Sequence, residues 1–162
     1  MRVLGIDPGL ERTGWGIIDH QGSRLMFVAA GVICSKSSET MAVRLCRIDF
    51  ELTKILEIYK PDTSAIEETF VNANSSSSLK LGQARGVAIL SPARFGLEVG
   101  EYAANTVKKS VVGAGHANKD QIAMMIKVLL PSSGDLSADA ADALAVAICH
   151  AHHFKSNSFI TS

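Results

Sequence analysis

The chain opens with the stretch Val3-Leu4-Gly5-Ile6-Asp7-Pro8-Gly9, a short apolar run that stops at an acid and a turn signal. A second apolar run, from Thr13 to Asp19, follows after a short link, and the two runs together predict a β-hairpin. Residues 25–34 are mostly apolar and suit a third strand. We therefore expect the chain to begin with three strands that pair antiparallel.

Patterns of helix and strand alternate through the rest of the chain. Ser38 opens a helical pattern with apolar residues three and four positions apart, which ends near Tyr59 before a proline. Further strands are predicted over 63–67 and 97–101, a polar loop over 72–78, and helices over 79–90, 103–109, 119–130 and 138–152. This order predicts an α/β domain with a mixed five-stranded sheet flanked by helices.

Length and composition fit a single domain. The chain has 162 residues, of which 47% are hydrophobic, and this is enough to form one core. We assign residues 1–154 to the domain and expect the mostly polar residues 155–162 to be a disordered tail. No apolar run approaches the roughly 18 residues that cross a bilayer, and the early Asp7 interrupts any signal-peptide pattern, so a cytoplasmic protein is expected.

Charge and cysteine content narrow the possible chemistry. Lys plus Arg and Asp plus Glu both number 16, so the net charge gives no general attraction to nucleic acid. Divalent cations bound at an acidic site would nevertheless neutralise its negative charge, so that the positive charge of nearby lysines and arginines could attract DNA. Three cysteines without C-x-x-C spacing indicate neither a disulfide framework nor a zinc ribbon. His150, His152 and His153 are expected to form a surface cluster at a helix end rather than a metal site.

Acidic residues stand beside apolar runs in three separate elements. Asp7 ends the first strand, while Glu67 and Glu68 end the fourth strand on opposite faces, so that only one of them can join Asp7. Asp139 and Asp142 are three residues apart on a predicted helix and therefore share one face. The alanines around them would let this helix lie close to the sheet. The acids of the three elements can therefore meet.

Each acid also fits a purely structural role. Asp-Pro-Gly is ordinary turn chemistry, Glu67 or Glu68 fits a solvated strand end, and Asp139 and Asp142 fit the first turn of a helix capped by Ser137. The combination favours chemistry, because phosphodiester hydrolysis uses such a cluster of hard oxygen ligands to hold Mg²⁺. Two such ions, roughly 4 Å apart, activate a water molecule and stabilise the leaving 3′ oxygen.

The acids belong to a longer series of motifs that follow one another in order over positions 3–152. These motifs are Gly5-Ile6-Asp7-Pro8-Gly9 with Thr13-Gly14-Trp15-Gly16, Ala65-Ile66-Glu67, Leu79-Lys80-Leu81-Gly82-Gln83-Ala84-Arg85-Gly86, Tyr102-Ala103-Ala104 with Val107-Lys108, Val111-Val112-Gly113 with Lys119, and Ala138-Asp139-Ala140-Ala141-Asp142-Ala143-Leu144-Ala145. In these motifs the chain resembles the RuvC family of bacterial Holliday-junction resolvases.

The resemblance implies an RNase H-like fold and a homodimeric endonuclease. Such an enzyme binds four-way DNA junctions and resolves them by paired, symmetric nicks in recombination and repair. The resemblance further implies two Mg²⁺ ions per active site, for which Mn²⁺ can substitute, and the branch-migration proteins RuvA and RuvB as partners.

The resemblance also implies roles for individual residues. The catalytic and metal-binding acids are Asp7, Glu67, Asp139 and Asp142, which favours Glu67 over Glu68. The residues that bind DNA are Phe70, Lys80, Arg85, Lys108 and Lys119. Gly82 and Gly86 lie on a helix whose small residues permit close approach of another helix, and we expect a two-fold dimer interface there.

Several of these residues fit structural roles equally well. Phe70 also fits a core or loop anchor, Lys108 and Lys119 fit ordinary solvated lysines, and the glycine-containing helix could pack against its own sheet. The chain departs from the family pattern around residues 91–98, where Pro92 is expected to cut or kink the helix, and in its serine-rich loop.

Three other functions fit parts of the sequence. Asp7, Gly9, Thr13 and Gly16 are similar to the first hairpin of actin-like and sugar-kinase ATPases, but those enzymes need two such domains. A nuclease for RNA–DNA hybrids would use the same metal chemistry. A non-catalytic junction-binding module would not need the acids.

Overall fold

The order of strands and helices agrees with the sequence patterns. A computed structural model of the chain describes residues 1–68, 74–113 and 115–157. Its elements are β1 (Arg2–Asp7), β2 (Arg12–Gln21), β3 (Arg24–Cys34), α1 (Met41–Tyr59), β4 (Thr63–Glu68), α2 (Ser75–Arg94), β5 (Val99–Ala103), α3 (Ala104–Val112), α4 (Lys119–Leu129), a short 3-10 helix (Pro131–Ser133) and α5 (Ala138–Asn157).

Within these ranges, the five strands form one sheet in the order β3-β2-β1-β4-β5. The strands β1, β2 and β3 pair antiparallel, whereas β4 lies parallel to both β1 and β5. The prediction of a mixed five-stranded sheet flanked by helices is therefore confirmed. The long return from β3 through α1 to β4 allows β4 to pair beside β1 in parallel.

The central strands bury side chains on both faces of the sheet. On one face, Val3 and Ala65 pack in a core with α3, α4 and α5. On the other face, residues such as Ile66 pack against α1 and α2. Because side chains alternate along a strand, Asp7 lies on the same face of the sheet as Val3, and Glu67 lies on the same face as Ala65. Both acids therefore point toward the layer that contains α5.

Helix α2 begins earlier than the sequence patterns predicted. The Asn74 side chain accepts hydrogen bonds from the backbone N–H groups of Ser76 and Ser77, and this cap starts the helix at Ser75. The predicted polar loop is therefore wrong for residues 75–78. Its residues 72 and 73 lie outside the described part of the chain.

Two helices continue beyond their predicted ends. Pro92 does not cut α2, because it lies in the last turn, and the helix runs on to Arg94. Helix α5 extends to Asn157, beyond its predicted end at residue 152. Residues 158–162 lie outside the described part.

A membrane span requires a helix that is both long and apolar. None of the helices in the described ranges meets both conditions.

Candidate active site

Two of the predicted acids lie at the ends of neighbouring parallel strands. Asp7 is the last residue of β1, and Glu67 lies one residue before the end of β4. The register sets Ile6 beside Ile66, so the two acids that follow lie side by side and face α5. Glu68 faces the other way and is exposed. The parallel pairing thus brings two carboxylates to one edge of the sheet.

Helix α5 brings the other two acids to this edge because glycines leave room for its backbone. A Cβ atom at Gly14 would overlap the backbone carbonyl of Asp139, and one at Gly5 would overlap the backbone of Ala143. Asp142 lies one turn after Asp139 on the same helix face. The sequence pattern predicted the small residues of the helix but not the glycines beneath it, whose role depends on contacts across the fold.

The carboxylates line one cavity of about 550 Å³. Apolar side chains of α3 and α4 form part of its wall, and its charged lining consists of Asp7, Glu67, Lys108, Lys119, Asp139 and Asp142. All four predicted acids and two of the predicted DNA-binding lysines therefore meet in one place.

Burial and mutual repulsion change the acidity of these carboxyl groups. The pKa of Asp7 is raised to about 7, first by burial and then by the charges of Asp142, Glu67 and Asp139. Burial also raises the pKa values of Glu67 and Asp142. The cavity thus holds negative charge that its surroundings neutralise only in part.

Two lysines reach the cavity from α3 and α4. Lys108 and Lys119 both act to lower the pKa values of Glu67 and Asp142, against the larger effect of burial. The Nζ atom of Lys119 lies 4.0 Å from Oδ2 of Asp142. Lys119 is the first residue of α4, and a reciprocal capping box fixes the start of that helix. Both lysines therefore line the same cavity as the acids.

One arginine that the sequence patterns did not single out contacts an acid of the cavity. Arg12, the first residue of β2, donates from Nε to Oδ2 of Asp139 at 2.6 Å. The side chain of Arg12 is 53% exposed and that of Asp139 is 28% exposed. The two residues are 127 positions apart, so no local pattern could have linked them.

The residues of the cavity suit a hard divalent cation. All four acids offer carboxylate oxygens, the ligands that Mg²⁺ prefers, and a bound cation would neutralise the charge that raises the pKa of Asp7. As the described side chains stand, no three carboxylate, imidazole or thiol groups meet closely enough to hold one ion. One oxygen of Asp139 is engaged by Arg12. The donors therefore fit by chemistry, and side-chain rotations would have to gather them.

Two other residues predicted to bind DNA, Lys80 and Arg85, do not line the cavity. Lys80 is exposed on α2. Arg85, also on α2, forms an ion pair with Glu101 of β5, and its buried Nε has no hydrogen-bond partner among the described residues. Phe70 lies outside the described part of the chain. Arg85 would have to share or leave Glu101 in order to bind a phosphate.

The two glycines predicted at a dimer interface lie on an exposed face of α2. A Cβ atom at Gly82 or Gly86 would meet nothing within 4 Å beyond the helix's own backbone in the described chain. Leu79 and Leu90 lie on the same side of the helix and are 64% and 53% exposed. These glycines therefore do not pack against the sheet of their own chain.

His150 is buried, so the prediction of a surface cluster is wrong for this residue, although His152 and His153 are exposed. Its side chain is 2% exposed, and its ring nitrogens lie 2.8 Å from the hydroxyl oxygens of Thr63 and Tyr102. Burial lowers the pKa of His150. The neutral ring thus joins α5 to β4 and β5. The run of apolar residues before it in α5 was the signal that could have indicated this burial.

Known proteins match nearly the whole chain. The family model described as crossover junction endodeoxyribonuclease RuvC matches residues 3–150. The chain is 58% identical over 153 residues to the crossover junction endodeoxyribonuclease RuvC of Rhodopseudomonas palustris, covering 94% of this chain and 88% of that protein. It is 55% identical over 157 residues to the corresponding protein of Rhizobium etli, covering 97% and 93% of the two chains.

A solved structure matches in the same way. The structure of Thermus thermophilus RuvC in complex with a Holliday junction substrate superposes with a TM-score of 0.90 at 29% identity, over 98% of this chain and 97% of that one. The RNase H-like resolvase fold implied by the sequence motifs is therefore confirmed.

Proposed function

Because this chain belongs to the RuvC family of crossover junction endodeoxyribonucleases, we propose that it resolves four-way DNA junctions by paired, symmetric nicks in recombination and repair. The observation that carries this proposal is one cavity in which Asp7, Glu67, Asp139 and Asp142 lie beside two lysines. Hydrolysis of a phosphodiester needs negative ligands for cations and positive groups for the phosphate, and this cavity contains both.

The acids of the cavity would hold two Mg²⁺ ions, or Mn²⁺ in their place. When bound, such ions supply an activated water molecule and neutralise charge on the leaving oxygen. Asp7 and Glu67 are held by adjacent strands, so their spacing is fixed by the sheet. Asp139 and Asp142 are held by α5, whose position depends on its contact with β1 and β2. The protein itself therefore holds four carboxylates where two rigid elements, the sheet and α5, meet.

The lysines of the cavity would bind the scissile phosphate. Lys108 and Lys119 lie on helices α3 and α4, and Lys119 is largely exposed. A cation at this position stabilises the charge that develops on the phosphate oxygens during attack. Phe70, Lys80 and Arg85 are proposed to contact other parts of the junction, with Phe70 stacking on a splayed base.

We propose that the protein acts as a homodimer through α2. The exposed side of this helix combines Gly82 and Gly86 with Leu79 and Leu90, which gives a close-packing surface flanked by apolar side chains. A two-fold axis there would present two active sites to two strands of one junction. RuvA and RuvB are the partners we expect for this dimer, and the cytoplasm is the expected location.

A nicking assay tests the proposed function. Synthetic four-way junctions, linear duplexes and RNA–DNA hybrids are incubated with the protein in Mg²⁺ or in EDTA. We expect paired nicks in the junction with Mg²⁺ and none in EDTA. Preferential cutting of the hybrid would instead assign the protein to the hybrid nucleases, and nucleotide binding without any DNA cleavage would favour an actin-like activity.

Adjacent acids supply a matched pair of variants for this assay. Glu67→Gln removes a carboxylate from the cavity and should abolish cutting while junction binding persists. Glu68→Gln removes the same charge from the exposed neighbouring position and should cut like the wild type. Equal loss of activity in both variants would contradict the assignment of the cavity as the active site.

A further inference from the structure

Arg12 and Asp139 form an ion pair between elements that are themselves fixed. Arg12 begins β2 and pairs across the sheet with Cys34 of β3. Two residues further along β2, Gly14 lies against the backbone of Asp139. The guanidinium and the carboxylate are therefore brought together by the packing of α5 on β2, and not by a chance encounter of two mobile surface side chains.

This ion pair engages an acid that a bound cation would need. Oδ2 of Asp139 accepts a hydrogen bond of 2.6 Å from Arg12, whereas Oδ2 of Asp142 lies 4.0 Å from Nζ of Lys119. An oxygen engaged by a guanidinium cannot give the same lone pair to a metal ion. Ligation of a cation through Oδ2 of Asp139 and the present position of Arg12 therefore compete.

Arg12 is well placed to find a second partner when it leaves Asp139. Its side chain is half exposed and begins at the rim of the cavity, next to Asp139. A guanidinium matches the geometry of a phosphate with two parallel hydrogen bonds. A phosphate of the strand bound at the cavity is the anion that the proposed function brings to this rim.

We propose that Arg12 is a phosphate-binding residue whose availability depends on the occupancy of the metal site. It neutralises Asp139 in the metal-free protein and is released to the DNA backbone when a cation takes that carboxylate. This inference rests on the proposed nuclease function. It makes junction binding and metal binding mutually supportive through one side chain.

The first test measures metal affinity without DNA, by calorimetry with Mn²⁺ and Mg²⁺. Arg12→Gln removes the competing guanidinium, so we expect it to bind metal about two- to five-fold more tightly than the wild type, as the loss of one half-exposed ion pair implies. Lys108→Gln removes a cation that lines the same cavity without engaging Asp139, and it should have a smaller effect. An equal gain in metal affinity in both variants would mean that any nearby positive charge weakens metal binding. That result would overturn the competition between Arg12 and the cation for Asp139.

The second test measures the affinity for a four-way junction in EDTA and in Ca²⁺. Ca²⁺ is a hard cation with looser coordination than Mg²⁺, and it is used so that the junction is not cut. We expect Arg12→Gln to bind like the wild type in EDTA and about three- to ten-fold more weakly in Ca²⁺, as for the loss of one solvent-exposed hydrogen-bonded contact. Arg94→Gln is the matched control, since Arg94 is also 53% exposed and paired with an aspartate, but on the opposite helical layer.

The outcomes separate this inference from the proposed function. Weakening by Arg12→Gln to the same extent in EDTA and in Ca²⁺, or no weakening in either, would overturn the coupling while leaving the nuclease intact. A wild-type protein that binds neither metal nor junction would overturn the proposed function and this inference with it.

Discussion

Gly14 of β2 lies directly beneath the backbone carbonyl of Asp139, so that the first turn of α5 rests on the sheet without an intervening side chain. This contact determines how far the two acids of α5 stand from the two acids of the strands. One turn further along α5, Gly5 makes an equally close contact with the backbone of Ala143. The geometry of the cavity therefore depends on two positions that carry no functional group.

Gly14→Ala should displace α5 and disrupt the site. The added methyl group would overlap the Asp139 carbonyl, and overpacking of this kind costs about 1–3 kcal/mol of unfolding free energy. We expect a lower urea midpoint together with loss of Mg²⁺ binding. Glu57→Ala is the control, because Glu57 is an exposed residue of α1 that lies outside both the cavity and the proposed dimer contact. Normal metal binding by a folded Gly14→Ala protein would show that this contact does not set the position of the acids.

Asp7→Asn should stabilise the metal-free protein at high pH. In the folded state the Asp7 carboxyl keeps its proton up to a pKa of about 7, whereas the unfolded chain loses it near 3.8. Between these values the folded state binds more protons, so the unfolding free energy of the wild type falls as the pH rises. We expect the unfolding free energy of Asp7→Asn to exceed that of the wild type by about 1–3 kcal/mol at pH 8 in EDTA, and by much less at pH 4.

Asp19→Asn is a control for which we expect the opposite change in unfolding free energy at pH 8. The Arg2 guanidinium beside Asp19 lowers the pKa of that carboxyl, so its ionised form stabilises the fold above the ordinary pKa and loses this effect as the pH falls through the lowered value. Asp19→Asn should therefore be less stable than the wild type at pH 8. Parallel pH profiles for the two variants would contradict the electrostatic account of the cavity.

Gly86→Glu and Leu79→Glu should convert the proposed dimer to monomers. Neither change meets an obstacle within the chain, because position 86 is open and Leu79 is exposed, so both proteins should fold. A charge in a close helix–helix contact would be buried without a partner. Analytical ultracentrifugation at micromolar concentration gives the oligomeric state. Met124→Glu, at a residue of α4 that is 67% exposed, is the control and should remain dimeric.

Tyr102→Phe should weaken the bridge between α5 and the sheet. The hydroxyl group of Tyr102 lies 2.8 Å from Nδ1 of the buried His150, and its removal leaves that nitrogen without this partner. We expect a loss of about 1–3 kcal/mol in unfolding free energy. His116→Ala, at an exposed histidine, should change the stability little. A Tyr102→Phe protein as stable as the wild type would mean that the bridge makes no net contribution.

The sequence was most informative where local periodicity and sheet formation agree. The hairpin of β1 and β2, the alternation that follows it and the placement of Asp7 and Glu67 at strand ends were predictable from apolar runs and turn residues. The spacing of Asp139 and Asp142 likewise predicted one shared helix face. These features depend on residues that are close together along the chain.

Features that depend on distant residues were not predictable. The pairing of Arg12 with Asp139 and the burial of His150 between Thr63 and Tyr102 both join residues that lie far apart along the chain. The early start of α2 is different, because Asn74 before a serine run is a recognisable cap. The polar, serine-rich composition of this stretch is typical of a loop, and the loop prediction followed that composition.

The placement of α5 has a consequence during protein synthesis. This helix supplies two of the four acids and follows every other described element of the domain along the chain, so it leaves the ribosome after them. A nascent or truncated chain without α5 would have the strand acids Asp7 and Glu67 but neither the opposing acids nor that wall of the cavity. Cutting activity would therefore arise only after α5 has been made and has packed against the sheet.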